Sequence, residues 1–163
     1  MQRHYDINKL IKDFGYLLVL GTTLGAVLVL GIIVAPVVFH TELLLFQPLD
    51  HYNAGIVMGE IFHRFSYWAY FSAIAVVVYE VLQYRAQRRD KVAMISSFIV
   101  LFTLLLFAAV YSPKILAMQA LGVQATQSDS FAALHMASEI DFKILAVALG
   151  VLFVRRIMLL RVK

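Results

Sequence analysis

The stretch from residue 16 to residue 39 reads YLLVLGTTLGAVLVLGIIVAPVVF, carries no charge and is long enough to cross a bilayer as a helix. Three further apolar stretches follow it, and the predicted spans are about 16–39, 60–84, 92–112 and 138–160. Hydrophobic residues make up 62% of the chain, and the mean hydropathy of +0.83 exceeds that of soluble domains. We therefore predict an all-α bundle of four transmembrane helices, forming one integral membrane domain over residues 1–163 in contact with the lipid bilayer.

The basic residues indicate the orientation of this bundle. They cluster ahead of the first span, between the second and third spans, and at the C-terminal end (Arg3, Lys9, Lys12; Arg85, Arg88, Arg89, Lys91; Arg155, Arg156, Arg161, Lys163). The loop over residues 39–53 contains no Lys or Arg. The positive-inside rule then predicts that both termini are cytoplasmic, in a bacterial inner membrane. Topology and lipid contact explain the formal net charge of +4, so the charge does not call for a nucleic-acid partner.

The segment over residues 1–14 precedes the first span. Ile7, Leu10, Ile11 and Phe14 recur in it at helical spacing. This pattern is typical of a short amphipathic helix at the membrane surface, and it also fits a simple cytoplasmic extension of the first span.

The two halves of the chain resemble each other. When Pro36 is aligned with Pro113, Glu60 falls within two positions of Glu139. Each half then consists of a helix, a proline that should kink or stop it, a loop and an acid-bearing helix. We therefore predict two helical hairpins repeated in parallel about an axis along the membrane normal.

Ionisable residues occupy matching places in these halves. Arg64 follows Glu60 by four residues and Lys143 follows Glu139 by four, so each pair lies on one helical face. Asp141 adds a further carboxylate. Charges at membrane depth mark candidate functional sites, and these five residues predict an outward-facing site within the bundle for a small cation, a metal ion or a proton. The alternative is that the ion pairs only stabilise packing.

Histidines accompany these charges. His63 and His135 lie near the two glutamates, and His40 lies close to Glu42 after the first span. Imidazole with carboxylate suits a transition-metal ion, and a single-histidine haem b ligand is the alternative cofactor. The chain has no cysteine, which excludes thiolate sites. No hydroxyl has the partners of a catalytic nucleophile, so we favour a binding role and leave enzyme activity open, with a haem-binding oxidoreductase as the enzymatic alternative.

Two further patterns concern packing. Glu80 and Arg156 are expected at similar depth near the basic side, where they should form a structural salt bridge. Gly21-x-x-x-Gly25 and Gly55-x-x-x-Gly59 permit close helix contacts. These contacts would lie within the chain or in a homodimer. A third possibility for the protein as a whole is a structural or assembly subunit of a larger membrane complex.

Short motifs also carry a family resemblance. The end of the first span at Ala35-Pro36-Val37-Val38-Phe39, the run Gly59-Glu60-Ile61-Phe62, and Leu134-His135-Met136-Ala137-Ser138 resemble the transmembrane protein 205-like group. That resemblance implies a small four-helix membrane fold, no established enzyme activity, and a role in transport or sequestration. Pro36, Phe39, His40 and Glu42, with His135, are also similar to HemJ-type and CopD-type membrane proteins, which implies haem-dependent or copper-related chemistry.

Overall fold

The computed structural model describes residues 7–161, and every regular element in that range is helical. The elements are α1 (Ile7–Val29), a π-helical turn (Leu30–Val34), α2 (Ala35–Phe39), a 3-10 turn (Thr41–Leu43), α3 (His51–Arg85), α4 (Lys91–Leu106), a second π-helical turn (Phe107–Tyr111), α5 (Ser112–Ala120), α6 (Val123–Thr126) and α7 (Asp129–Arg161). The predicted all-α class is confirmed for these residues. Arg3 and Lys163 lie outside the described range.

Three of the helices meet the length and hydropathy that a membrane crossing requires. They cover Leu10–Phe39, His51–Arg85 and Lys91–Ala120. The apolar helices indicate an integral membrane protein and fit a lipid bilayer. The helix α7 is also long enough to cross, but it carries five charged residues between Glu139 and Arg156. Its role as a fourth span therefore stays a prediction.

The first helix is continuous from Ile7 into the apolar stretch. The helix α1 has no break before Tyr16, and the placement of the segment 1–14 at the membrane surface or in the cytoplasm stays a prediction. The exposed side chains of Ile7, Ile11 and Phe14 lie on this part of α1. The first six residues of the segment lie outside the described range.

Both prolines follow a π-helical turn. Leu30–Val34 is followed by Ala35 and Pro36, and Phe107–Tyr111 is followed by Ser112 and Pro113. A proline removes a backbone donor and crowds the preceding turn, and a wider π-helical turn is one way to relieve this. Each proline is therefore accommodated without ending its helix, and each of the two distortions directly precedes its proline-bearing helix.

The core lies where α7 packs against α1 and α4, and where α3 packs against α1 and α4. Most of its large fully buried side chains are aliphatic, among them Leu20, Val100, Leu104, Leu145, Leu149 and Leu152, and the hydroxyl residues Thr23 and Ser72 are buried with them. Four phenylalanines extend this core, since the rings of Phe62, Phe65, Phe107 and Phe142 lie 5.0 to 6.0 Å apart from centroid to centroid. These contacts, four of them edge-to-face and one tilted, join α3, the second π-helical turn and α7.

Glycines of the two small-residue motifs contact neighbouring elements of the same chain. Gly55 and Gly59 lie against the side chain of Gln119 in α5, whose Nε2 donates to the Gly55 carbonyl at 2.8 Å. Gly21 lies against the ring of Phe153 in α7. These three glycines therefore serve packing within the bundle.

Candidate functional site

The two matched ion pairs lie on exposed faces of their helices. Arg64 Nε donates to Glu60 Oε1 at 2.7 Å, and Lys143 Nζ donates to Glu139 Oε2 at 3.3 Å. The side chains of Glu60 and Glu139 are 54% and 51% exposed. Each glutamate is thus paired with a base on its own helix, and no described contact joins the two pairs. The structure does not gather these four residues into one interior site.

The candidate metal ligands form local contacts as well. His40 Nδ1 lies 3.0 Å from Glu42 Oε1, His63 Nε2 lies 3.3 Å from the Tyr67 hydroxyl, and His135 Nε2 lies 3.2 Å from Glu139 Oε1. Within residues 7–161, no group of three or more His, Asp or Glu side chains is close enough to hold a metal ion. Of the four predicted ligands His40, Glu42, His63 and His135, only His40 and Glu42 contact each other, and the four do not form one cluster.

Asp141 differs from the other predicted acids because it is buried. The residue is 5% exposed, although Glu139 lies only two positions earlier on the same helix. Its Oδ2 atom is buried and accepts no hydrogen bond from the described residues. Asp141 is one of the residues that line a cavity of about 370 Å³ between α4 and α7, with Thr103 and Tyr111 also on the walls. A buried carboxylate without a counter-charge is costly, so this position requires an explanation.

The second π-helical turn lies beside this carboxylate. Phe107–Tyr111 contacts α7, and the hydroxyl of Ser112, which follows the turn, is also buried without a described partner. Single π-helical turns inside α-helices occur frequently at functional sites. Two unsatisfied side-chain oxygens therefore lie in the part of the bundle where the third apolar helix is distorted.

A second group of charged residues is buried at the opposite end of α7. We call this the basic end; it holds the start of α1, the turn over residues 86–90 and the last turns of α7. Here Arg156 forms a two-point ion pair with Glu80, with its Nε donating to Oε1 at 3.0 Å. The structure thus brings together the two residues that were expected at equal depth, and their side chains are 7% and 14% exposed.

Three residues that sequence reasoning missed complete this network. The Tyr16 hydroxyl donates to Glu80 Oε1 at 3.0 Å, and the Tyr79 hydroxyl donates to Asp13 Oδ1 at 2.7 Å. The Tyr16 and Tyr79 rings are stacked with centroids 3.8 Å apart. A signal for them was present, because Asp13 and Tyr16 share the helical face that continues through Leu20, Thr23 and Val27. The network joins α1, α3 and α7.

A further ion pair at the basic end was also missed. Arg155 donates to both carboxylate oxygens of Asp90, at 3.0 and 2.7 Å, and Asp90 also caps α4 by accepting from the Ala93 amide. The hydrogen bonds from Arg155, followed by the one from Ala93, lower the pKa of Asp90 from 3.8 to about 2. This pair fastens the start of α4 to α7.

A family model described as a domain of unknown function, DUF4149, matches residues 18–124. The match covers more than half of the chain. The chain belongs to the DUF4149 family. No curated protein and no solved structure was found to match it.

The matched region divides the candidate residues of this DUF4149 protein into two groups. It includes both prolines with their π-helical turns, and it includes Glu60 and Glu80. It excludes the whole of α7, and with it Asp141 and Arg156. Asp141 therefore lies outside the matched region, on α7, which packs against α4 within that region. The finer resemblance to the transmembrane protein 205-like group stays a prediction.

Proposed function

We propose that this DUF4149 protein is a membrane-embedded binding protein for a monovalent cation, with Asp141 as the binding group and a proton as its occupant when no other cation is present. The observation that carries the proposal is the buried, unpaired Oδ2 atom of Asp141. Because an isolated negative charge inside an apolar bundle is unfavourable, the carboxylate is stable there only when it is protonated or bound to a cation.

The neighbouring acids support this choice by contrast. Glu139 has Lys143 four residues later and Glu60 has Arg64, so both carry a counter-charge on their own helix. Asp141 has no basic residue three or four positions away in either direction. Among the described residues, no base of another helix forms a salt bridge with Asp141 either. Asp141 is therefore the acid among the predicted site residues whose charge is left for a ligand to neutralise.

A carbodiimide labelling experiment tests the proposal. Dicyclohexylcarbodiimide dissolves in membranes and modifies carboxyl groups that are protonated in apolar surroundings. We expect mass spectrometry of the purified protein to find the modification at Asp141. The matched control is Glu139, which is exposed and paired. Labelling should disappear in Asp141→Asn and persist in Glu139→Gln; labelling that is unchanged in Asp141→Asn would show that Asp141 is not the reactive group.

We propose in addition that α7 is a fourth span and that both termini are cytoplasmic in a bacterial inner membrane. The basic end carries Arg85, Arg88, Arg89 and Lys91 and the C-terminal arginines, which supports this orientation. Cysteines introduced at the exposed positions Gln47 and Gln127 should react with an impermeant thiol reagent outside the cell. A cysteine at Ala86 in the turn between α3 and α4 should not react. Labelling at position 86 in intact cells would contradict the proposed orientation.

The equivalent π-helical turns before Pro36 and Pro113 support the proposed repeat of two parallel hairpins. On this arrangement the whole chain is one membrane domain. Homodimerisation or membership of a larger complex also stays a proposal. The mass of the purified protein in native micelles would give the number of chains in the assembly.

A further inference from the structure

Two cavities adjoin each other along the groove between α4 and α7. The smaller one, about 370 Å³, contains Asp141, and the larger one, about 530 Å³, lies nearer the basic end along α7. Ile99 and Ile144 line both cavities, so the two cavities adjoin at these side chains along the groove. The larger cavity is walled mainly by aliphatic side chains, including Val147 and Val151.

The polar groups in this groove are almost all engaged. The Thr103 hydroxyl donates to the Ile99 carbonyl at 2.8 Å, and the Ser96 hydroxyl donates to the Val92 carbonyl at 2.6 Å. The ammonium group of Lys143 is held by Glu139. Besides Asp141 and Lys143, the titratable residue on the described walls is Tyr111. Because Glu139 balances the charge of Lys143, the one unbalanced charge on the described walls is that of Asp141, and the rest of the surface is mainly apolar.

This combination does not suit a hard metal ion. Magnesium and calcium require about six oxygen ligands, and the described residues include no cluster of three candidate ligands. A cation that carries its own apolar body needs only one counter-charge and gains from contact with aliphatic walls. The groove matches such a ligand both in charge and in surface character.

We infer that the groove binds a lipophilic organic monocation, such as an alkylammonium ion, with its head group at Asp141 and its apolar body along Ile144, Val147 and Val151. The inference rests on the proposed function, and it identifies the ligand class of the same site. The three aliphatic side chains are partly or largely exposed on the outer face of α7, so the ligand enters sideways from the bilayer. From Asp141 to Val151 the groove runs about 15 Å along the helix, at a rise of about 1.5 Å per residue.

Protection against carbodiimide labelling tests the inference in nanodiscs of zwitterionic lipid. Dodecyltrimethylammonium should protect Asp141 at a concentration at least about tenfold below that needed for tetramethylammonium, because its chain buries several methylene groups. Dodecyl sulfate has a chain of the same length and the opposite charge, and it should not protect. Sodium ions serve as the inorganic comparison and should protect no better than tetramethylammonium.

A variant in the larger cavity distinguishes protection by binding in the groove from protection by accumulation of the long-chain cation in the bilayer. Val147→Trp fills this cavity at an exposed position away from Asp141, so labelling should persist while the advantage of the long chain is lost. If Asp141 is labelled but sodium protects as well as dodecyltrimethylammonium, or if dodecyl sulfate protects equally, the inference is wrong and the proposed function stands. Failure of labelling at Asp141 in the unaltered protein would overturn both.

Discussion

Three of the described acid–base pairs form two kinds of contact. Glu80 and Arg156 meet across two helices and are buried, whereas Glu60 with Arg64 and Glu139 with Lys143 pair within one helix and are exposed. The residue types are alike, but the spacing differs. Glu60 and Glu139 each have a base four residues later, and neither Glu80 nor Arg156 has an opposite charge three or four residues away. Glu60 and Glu139 are neutralised on their own helices and stay at the surface, whereas Glu80 has no local base and is neutralised by a base from another helix.

Asp141 extends this comparison to a third case. It has no local base, like Glu80, and the described residues of the other helices provide no tertiary base either. Its burial without a partner separates it from the structural ion pairs. The comparison therefore identifies Asp141 as the charge for which packing provides no explanation.

The largest effect is expected from Glu80→Gln. The amide keeps the shape of the side chain but leaves the guanidinium of Arg156 buried without a counter-charge, and we expect a loss of about 3 kcal/mol in the free energy of unfolding. Unfolding of both proteins in mixed micelles measures this loss. Glu60→Gln on the same helix is the matched control. Equal losses in the two variants would remove the distinction between buried and local pairs.

A double-mutant cycle then measures the coupling itself. Because Arg156→Gln in the Glu80→Gln background removes the stranded charge, the second loss should be smaller than in the unaltered protein, with a coupling of about 2 kcal/mol. The same cycle on Glu60 and Arg64 should give about 0.5 kcal/mol or less. Additive losses for Glu80 and Arg156 would contradict the pair seen in the structure.

Removal of the Tyr79 hydroxyl should have the next largest effect. Tyr79→Phe deprives the buried carboxylate of Asp13 of a hydrogen bond, and we expect a loss of about 2 kcal/mol in the free energy of unfolding. Tyr67→Phe is the control, since the Tyr67 hydroxyl lies on an exposed face beside His63. A loss in Tyr79→Phe no greater than in Tyr67→Phe would show that Asp13 does not depend on the phenol.

Asp90 should make the free energy of unfolding depend on pH. Its pKa is lowered from 3.8 to about 2 in the folded protein, so its contribution is fully present above about pH 4 and is lost as the pH falls towards about 2. Asp90→Asn keeps a capping oxygen but removes the charge, and we expect it to lower stability by about 1 kcal/mol near neutral pH. The difference in unfolding midpoint between the unaltered protein and Asp90→Asn should vanish as the pH falls towards about 2. A difference that does not change with pH would contradict the ion pair.

The smallest effects are expected from the local pairs. Glu60→Gln and Glu139→Gln each remove one exposed ion pair within a helix, and the loss should be below about 0.5 kcal/mol. Addition of salt should reduce it further, because exposed charges are screened. A loss of several kcal/mol in either variant would mean that the glutamate is buried against a further partner, such as a second copy of the chain.

Sequence reasoning found part of the network at the basic end. Matching the depths of Glu80 and Arg156 along their helices was enough to pair them, because depth follows from the constant rise of a helix. Tyr16, Tyr79 and Asp13 were missed, since their meeting depends on how α1 and α3 are rotated about their axes. Asp90 and Arg155 were missed for the same reason, although Asp90 had the spacing of a helix cap.

Hydropathy and the positions of Pro36 and Pro113 were sufficient to predict a helical membrane protein with distorted first and third apolar helices, because these properties are carried by each segment separately. Burial of a given side chain is not such a property. Asp141 and Glu139 are two positions apart, which turns them about 200° from each other around the helix, so that one side chain enters the bundle and the other leaves it. Which of the two is buried depends on the rotation of α7 against α4, and that rotation is decided only when all the helices pack together.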